Sequence, residues 1–145
     1  MSIPTRYIPK TLKRRDREKQ LKNIRKSRKM YKLGKFFTRP PLASFHSRPS
    51  SHVEKAKKKY GVDSIGATPE LARKTKCTVS ALEKVLNKGR GAYYSSGSRP
   101  NQTAESWGRA RLASTITGGP ASRIDYSILR EGCDSDSPAL TIAKY

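Results

Sequence analysis

Apolar residues are thinly and unevenly spread along this chain, and their spacing predicts helices. Pro4 and Pro9 hold the first ten residues extended. Thr11 stands as a cap before 12–33, a run without proline or glycine that stops at Gly34. Such a helix, spanning about 11–34, is about 35 Å long at about 1.5 Å per residue. Leu12, Leu21, Ile24 and Tyr31 are its sparse apolar residues, and Leu21, Ile24 and Tyr31 form one thin stripe. The rest is mostly Lys and Arg, so most of its surface is expected to need an external partner. Residues 35–50 read as irregular, punctuated by Phe36, Phe37, Pro40, Pro41, Phe45 and Pro49. Ser51-His52-Val53-Glu54 reads as a capping box opening a helix to Tyr60, stopped by Gly61.

Thr68-Pro69-Glu70 predicts a short helix ending near Lys76, with proline at its first position and an acid on the positive end of its dipole. Ser80-Ala81-Leu82-Glu83 is a second capping box, and its helix is expected to end at Gly89. The glycines and serines of 89–100 predict a loop. Asn101–Thr117 and Ala121–Glu131 read as the last two helices, with Ile124 and Ile128 facing inward. The tail 133–145 is expected to be extended, because Asp134, Asp136 and Pro138 oppose helix, with 140–143 able to add a short strand to a neighbour. The fold class is therefore mainly α. A basic arm, 1–60, carries a long helix and an extended aromatic segment; a small helical domain, 61–132, and an extended tail, 133–145, follow.

Charge sharpens this division. The 145 residues hold 32 Lys/Arg and 11 Asp/Glu, a net charge of +21, and only 34% are hydrophobic. Residues 1–60 hold 20 of the cations and 3 of the acids. A compact chain so charged repels itself, which calls for a polyanion or an acidic protein surface as partner. No apolar run opens the chain as a signal peptide does, and none reaches the ~18 residues of a membrane span. Cys77 and Cys133 are the two cysteines, and they read as reduced thiols in a cytosolic protein.

Leu71, Ala72, Cys77, Leu82 and Val85 occupy the apolar positions of a helix-turn-helix. The turn position usually given to glycine is Lys76, which must then adopt a left-handed backbone at a cost of about 1 kcal/mol. The unit reads either as a DNA reader or as an ordinary helical pair in a core. The stretch 89–103 could present glycine-rich amides to an anion, with Arg90, Ser95, Ser96, Ser98 and Arg99 as its possible ligands. It lacks the Gly-Lys-Ser/Thr ending of a nucleotide loop. The alternative is a self-bonded loop packing Tyr93 and Tyr94 on Trp107. His46 and His52 have no acid spaced to orient them, and two Cys with two distant His make no zinc spacing. No catalytic residue, metal or cofactor is expected, and the chain does not read as an enzyme.

Several stretches carry a resemblance. They are 31–35 and 50–53, above all Lys88-Gly89-Arg90-Gly91-Ala92-Tyr93-Tyr94-Ser95-Ser96-Gly97-Ser98-Arg99-Pro100-Asn101-Gln102-Thr103, then Ser106-Trp107, 110–113 and 117–119. Together they resemble an uncharacterised domain family of large double-stranded DNA viruses, those of algae and amoebae, and of some phages. The resemblance implies a viral setting and carries over no catalytic residues. With the basic arm, it leads to the expectation of a minor capsid protein in the virion shell, made in the host cytoplasm. It would cement the major capsid protein and other minor capsid proteins. Arg14, Arg15, Arg25, Arg28, Arg39 and Arg48 would make charge-assisted contacts, with Phe36, Phe37 and Phe45 as apolar anchors. The alternative is a virion nucleic-acid-binding protein whose arm tracks phosphates and whose aromatics stack on bases. Contact with an internal virion membrane stays open.

Overall fold

The computed structural model describes residues 2–46 and 50–144, and it is mainly helical. Among the described residues there are eight α-helices, a 3-10 turn at Thr5–Tyr7 and no β-strand. The chain groups into two units, Met1–Arg48 with Arg90–Trp107, and Pro49–Gly89 with Gly108–Tyr145. Both are discontinuous in sequence, unlike the expected division into 1–60 and 61–132.

Local chemistry sets most helix ends. α1 spans Arg14–Lys32 and starts at Lys13 without a side-chain cap, so Thr11 does not play that part. It closes in a Schellman motif: Gly34 has φ +76, its N–H reaches Tyr31 O at 2.9 Å, and Lys35 N–H reaches Met30 O at 2.8 Å. α2, Ser51–Tyr60, is capped by Ser50 rather than Ser51, and it stops at a left-handed Gly61 as expected. α3, Pro69–Thr75, follows its predicted signals, with Thr68 Oγ1 accepting from Leu71 N–H at 3.1 Å. Lys76 adopts the left-handed backbone that the turn demanded, at φ 56.

α4, Val79–Ser95, departs from expectation at both ends. Thr78, not Ser80, takes the cap position, accepting from Ala81 N–H at 3.0 Å. The helix runs through Gly89 instead of stopping there. A Cβ on Gly89 would lie 2.6 Å from Gly108 Cα in α5, Ala104–Ile116. The glycine therefore serves a close helix crossing rather than a break. α5 starts later than predicted because Asn101 is left-handed at φ 62. Thr103 caps it by exchanging hydrogen bonds with Ser106, at 2.9 and 3.0 Å.

The single helix expected over 121–131 is two, α6 at Pro120–Ile124 and α7 at Tyr126–Gly132. They break at Asp125, whose side chain is fully buried. Its Oδ1 meets Arg111 Nη2 at 2.7 Å and Lys88 Nζ at 3.2 Å, while Oδ2 accepts from Thr115 Oγ1 at 2.8 Å. The break turns Ile124 outward, to 63% exposure, where an inward position was expected. The tail is not extended either. α8, Pro138–Thr141, begins with proline at its first position, and Ser137 caps Leu140 N–H at 3.3 Å. Proline there initiates a helix rather than forbidding it. Leu71, Leu82, Val85, Leu112, Ile116 and Leu129 form the core of this second unit, closed by Ala139 and Ala143.

The two cysteines correct another expectation. An antiparallel bridge pairs Cys77 with Cys133, and they are disulfide-bonded rather than reduced. Thr78 N–H bonds Gly132 O and Asp134 N–H bonds Lys76 O, both at 2.8 Å, which sets the two residues side by side. Their separation of 56 residues gave no local signal of pairing.

Asp125 gives the second unit an acid sensitivity. Burial pushes its carboxyl up, but hydrogen bonds from Arg111, Thr115 and Lys88, with the Arg111 charge, push it further down, below the usual carboxylate range. A depressed folded value contributes stability above the unfolded value of about 3.9 and loses it as pH falls through the folded value. Thermal melts are therefore expected to hold steady from neutral pH to about 5 and then weaken below about 4, by up to about 1.4 kcal/mol per pH unit from this group. Asp136, lowered by its hydrogen bond from Lys76, adds an exposed and screened contribution of the same sign. In Asp125→Asn the acid slope is expected to shrink; an unchanged slope would contradict the assignment.

Candidate nucleic-acid interface

The first unit is built around a buried cation. Arg39 is only 5% exposed. Its Nη1 donates to Ser27 Oγ at 2.9 Å and Tyr93 O at 2.8 Å, and its Nη2 donates to Ser98 Oγ at 2.7 Å. The guanidinium lies 3.8 Å from the Tyr93 ring centroid, and Tyr93 Oη accepts from Arg39 N–H at 2.9 Å. Burial lowers its pKa while the neighbouring tyrosines oppose that shift. An arginine keeps its proton in such a place, so the charge is held by neutral acceptors and one aromatic face.

Other polar side chains fasten the arm to the same unit. Gln20 Nε2 donates to Tyr7 O at 3.1 Å and Ser98 O at 3.2 Å. Asn101 Oδ1 accepts from Leu42 N–H at 2.6 Å, and its Nδ2 donates to Phe45 O at 2.9 Å. Asp16 accepts from Ser44 N–H at 2.9 Å and from the Ser44 hydroxyl, and these bonds hold its carboxyl below the usual range. Segment 38–45 is thus an internal strap. Arg39 is turned into its own unit rather than outward, and Phe45 is half-buried. Arg28 is also drawn inward, its Nε donating to Ser96 O at 2.9 Å. Arg48 lies outside the described residues.

α1 has two unlike faces. Gln20, Ile24 and Ser27 are buried, at helical spacing. The opposite face carries eight exposed cations. At 100° per residue, Arg15, Lys22 and Lys29 run down its middle, with Arg14, Arg25 and Lys32 on one flank and Lys19 and Lys26 on the other. Glu18 is the acid on that face; it pairs with Arg14 at 3.5 Å, both well exposed, and such a pair is weak. Seven-residue steps place the cations of one row about 10.5 Å apart, along a helix about 28 Å long. The whole unit carries 18 Lys/Arg against 3 Asp/Glu, +15 of the chain's +21.

The expected anion loop is arranged otherwise. Ser95, Ser96 and Gly97 lie at the C-terminus of α4, the negative end of its dipole. Ser96 and Gly97 N–H both bond Ala92 O, at 2.9 and 3.1 Å. Ser98 Oγ accepts from Arg39 and donates to Arg99 O at 2.8 Å. Arg90 is ion-paired with Glu105, its Nη2 donating to Oε2 at 3.1 Å and its Nε lying 2.9 Å from Oε1. Arg99 and Ser95 are exposed. This segment binds arginines through its carbonyls instead. Trp107 meets Tyr7 edge-on at 5.9 Å, rather than Tyr93 or Tyr94.

The pair α3 and α4 is joined through the left-handed Lys76, with Leu71, Cys77, Leu82 and Val85 buried. Its second helix offers one cation, Lys84, in its first two turns, beside Glu83. That is little charge for phosphates compared with α1. His46 is exposed and His52 half-buried. Among the described residues no three His, Cys, Asp or Glu side chains converge, and no helix is long and apolar enough to cross a membrane.

No curated protein and no solved structure matches the chain. A family model does match, over residues 4–132, spanning both units. The chain belongs to that family, DUF5824, a family of unknown function.

Proposed function

We propose that this chain is a nucleic-acid-binding protein that lays the outward face of α1 along a phosphate backbone. One observation carries the reading: eight exposed cations share one face of a helix whose other face is anchored in its own unit. A rigid row of charges meets a regular polyanion without ordering a flexible arm, so little entropy is lost on binding. In the viral setting that the sequence resemblance implies, the polymer is a viral nucleic acid. Capsid cementing, the other reading, calls on Arg14, Arg15, Arg25, Arg28, Arg39 and Arg48 for charge contacts and on Phe36, Phe37 and Phe45 as apolar anchors, of which Arg14, Arg15, Arg25 and Phe36 are exposed. Here Arg39 serves the interior, Phe45 is half-buried, and Phe37 lies 4.4 Å below the Lys26 ammonium. The two readings part in a titration of a labelled oligonucleotide with polyglutamate as competitor. A phosphate binder releases the oligonucleotide only to a large excess of carboxylate; displacement at equal charge would favour an acidic protein surface.

A further inference from the structure

Three aromatic rings meet at the C-terminal end of α1 and are not absorbed by the phosphate reading. Tyr31 and Tyr94 are stacked, with centroids 6.2 Å apart and planes 10° apart. Phe36 sits 5.0 Å from Tyr94 and 6.2 Å from Tyr31. Phe36 is 70% exposed and Tyr31 37% exposed, and Leu33 beside them is 67% exposed. Scattered apolar side chains on a surface are ordinary, but three convergent rings are a platform.

The platform is held firmly. Tyr93, fully buried under the Arg39 guanidinium, supports Tyr94 edge-on at 5.0 Å. The Schellman turn through Gly34 fixes the path from Tyr31 to Phe36. Exposed Lys29, Lys32 and Lys35 flank the rings in sequence, and no acid lies between Glu18 and Glu54. A second copy of so cationic a unit is repelled. The fitting occupant has flat apolar faces and regularly spaced negative charge, which describes unpaired nucleotides.

We infer that Tyr31, Phe36 and Tyr94 stack unpaired bases, so that the polymer held by α1 is single-stranded nucleic acid. This rests on the phosphate reading of α1 and adds the substrate class to it. A duplex offers its backbone to the cations but keeps its base faces paired and stacked.

Phe36→Ala tests this, since an exposed ring can be removed without touching the core. Three probes serve: an oligothymidylate, an abasic oligomer of equal length, and a duplex. The wild-type chain is expected to prefer oligothymidylate over the abasic strand by roughly 5- to 100-fold. Phe36→Ala erases most of that preference and leaves duplex affinity within about 2-fold, whereas Phe36→Tyr retains the preference. Equal wild-type affinity for both strands, with strong salt dependence, overturns stacking and leaves phosphate binding intact. Absence of binding to any of the three overturns both. Equal losses by Phe36→Ala on single strand and duplex, or a change from dimer to monomer in sedimentation, also overturn the stacking assignment.

Discussion

Replacing Lys22, Arg25, Lys29 and Lys32 together by glutamine is expected to weaken nucleic-acid binding on the order of 10³-fold at about 0.1 M salt. The estimate follows from counterion release. Each phosphate contact contributes a slope of about −0.9 to log K against log salt on a duplex. Four lost contacts then remove about 3.6 decades between about 1 M and 0.1 M salt, if all four are engaged. These positions suit the test because they are exposed and make no internal bond of the kind that holds Arg28 and Arg39. Lys26 is left in place because it lies over Phe37, and Arg14 because it pairs with Glu18. Glutamine is a good helix former, so α1 is expected to persist and circular dichroism to be unchanged. An affinity within about 3-fold of wild type, with helicity intact, would remove α1 from the interface.

Arg39→Ala is expected to do the reverse, breaking the unit rather than the interface. It deletes three charge-assisted hydrogen bonds and leaves Tyr93 O, a carbonyl near the end of α4, without its arginine. Hydrogen bonds to charged groups are worth about 1.5–3 kcal/mol each but are not additive, so a loss of about 3–5 kcal/mol is expected. In a chain of this size that lowers the melting temperature by roughly 10–20 °C. Arg39→Lys keeps the charge but not the planar fork that reaches three acceptors, and it is expected to recover less than half of the loss. If Arg39 instead faced a partner, Arg39→Ala would melt within a few degrees of wild type and lose binding. Thermal unfolding of the three proteins separates the cases.

The helix limits that sequence predicts well are those written in local chemistry. Gly34, Gly61 and the Thr68-Pro69 pair act through their own backbone, and each holds in the structure. Lys76 is the clearest case, since the helix-turn-helix spacing demanded a left-handed residue that the side chain disfavours. Failures come where one residue type has two physical uses. Gly89 can break a helix or admit a neighbouring backbone, and only the presence of Gly108 decides. Pro138 can end a helix or begin one. Asp125 looks like a polar residue on a helix surface, yet Arg111, Thr115 and Lys88 converge on it from distant positions. Cys77 and Cys133 are joined only by the tertiary path of the chain.

The candidate interface was half legible. Ile24 lay on the expected apolar stripe of α1, and the cations opposite it follow from helix geometry alone. Leu21 and Tyr31, the other members of that stripe, are half-buried and exposed; Gln20 and Ser27 take the buried positions instead. A polar side chain on an inward face has no hydrophobic signature. Nothing in the sequence separates Arg39 from the other cations of the arm, so it shares their expected role as a partner contact. Its acceptors, Ser27, Tyr93 and Ser98, lie 12 to 59 residues away. The phenylalanines divide for the same reason: Phe37 and Phe45 are partly covered by their own unit, while Phe36 is left open.

The most direct measurement is the salt dependence of binding, by anisotropy of a labelled duplex of about 20 base pairs, from about 0.05 to 0.4 M salt. A phosphate-binding α1 gives a straight line of log K against log salt with a slope near −7 if all eight outward cations engage, and no shallower than about −4 if half do. A slope shallower than about −2, or the same slope in the four-glutamine variant as in wild type, would contradict phosphate binding by this face.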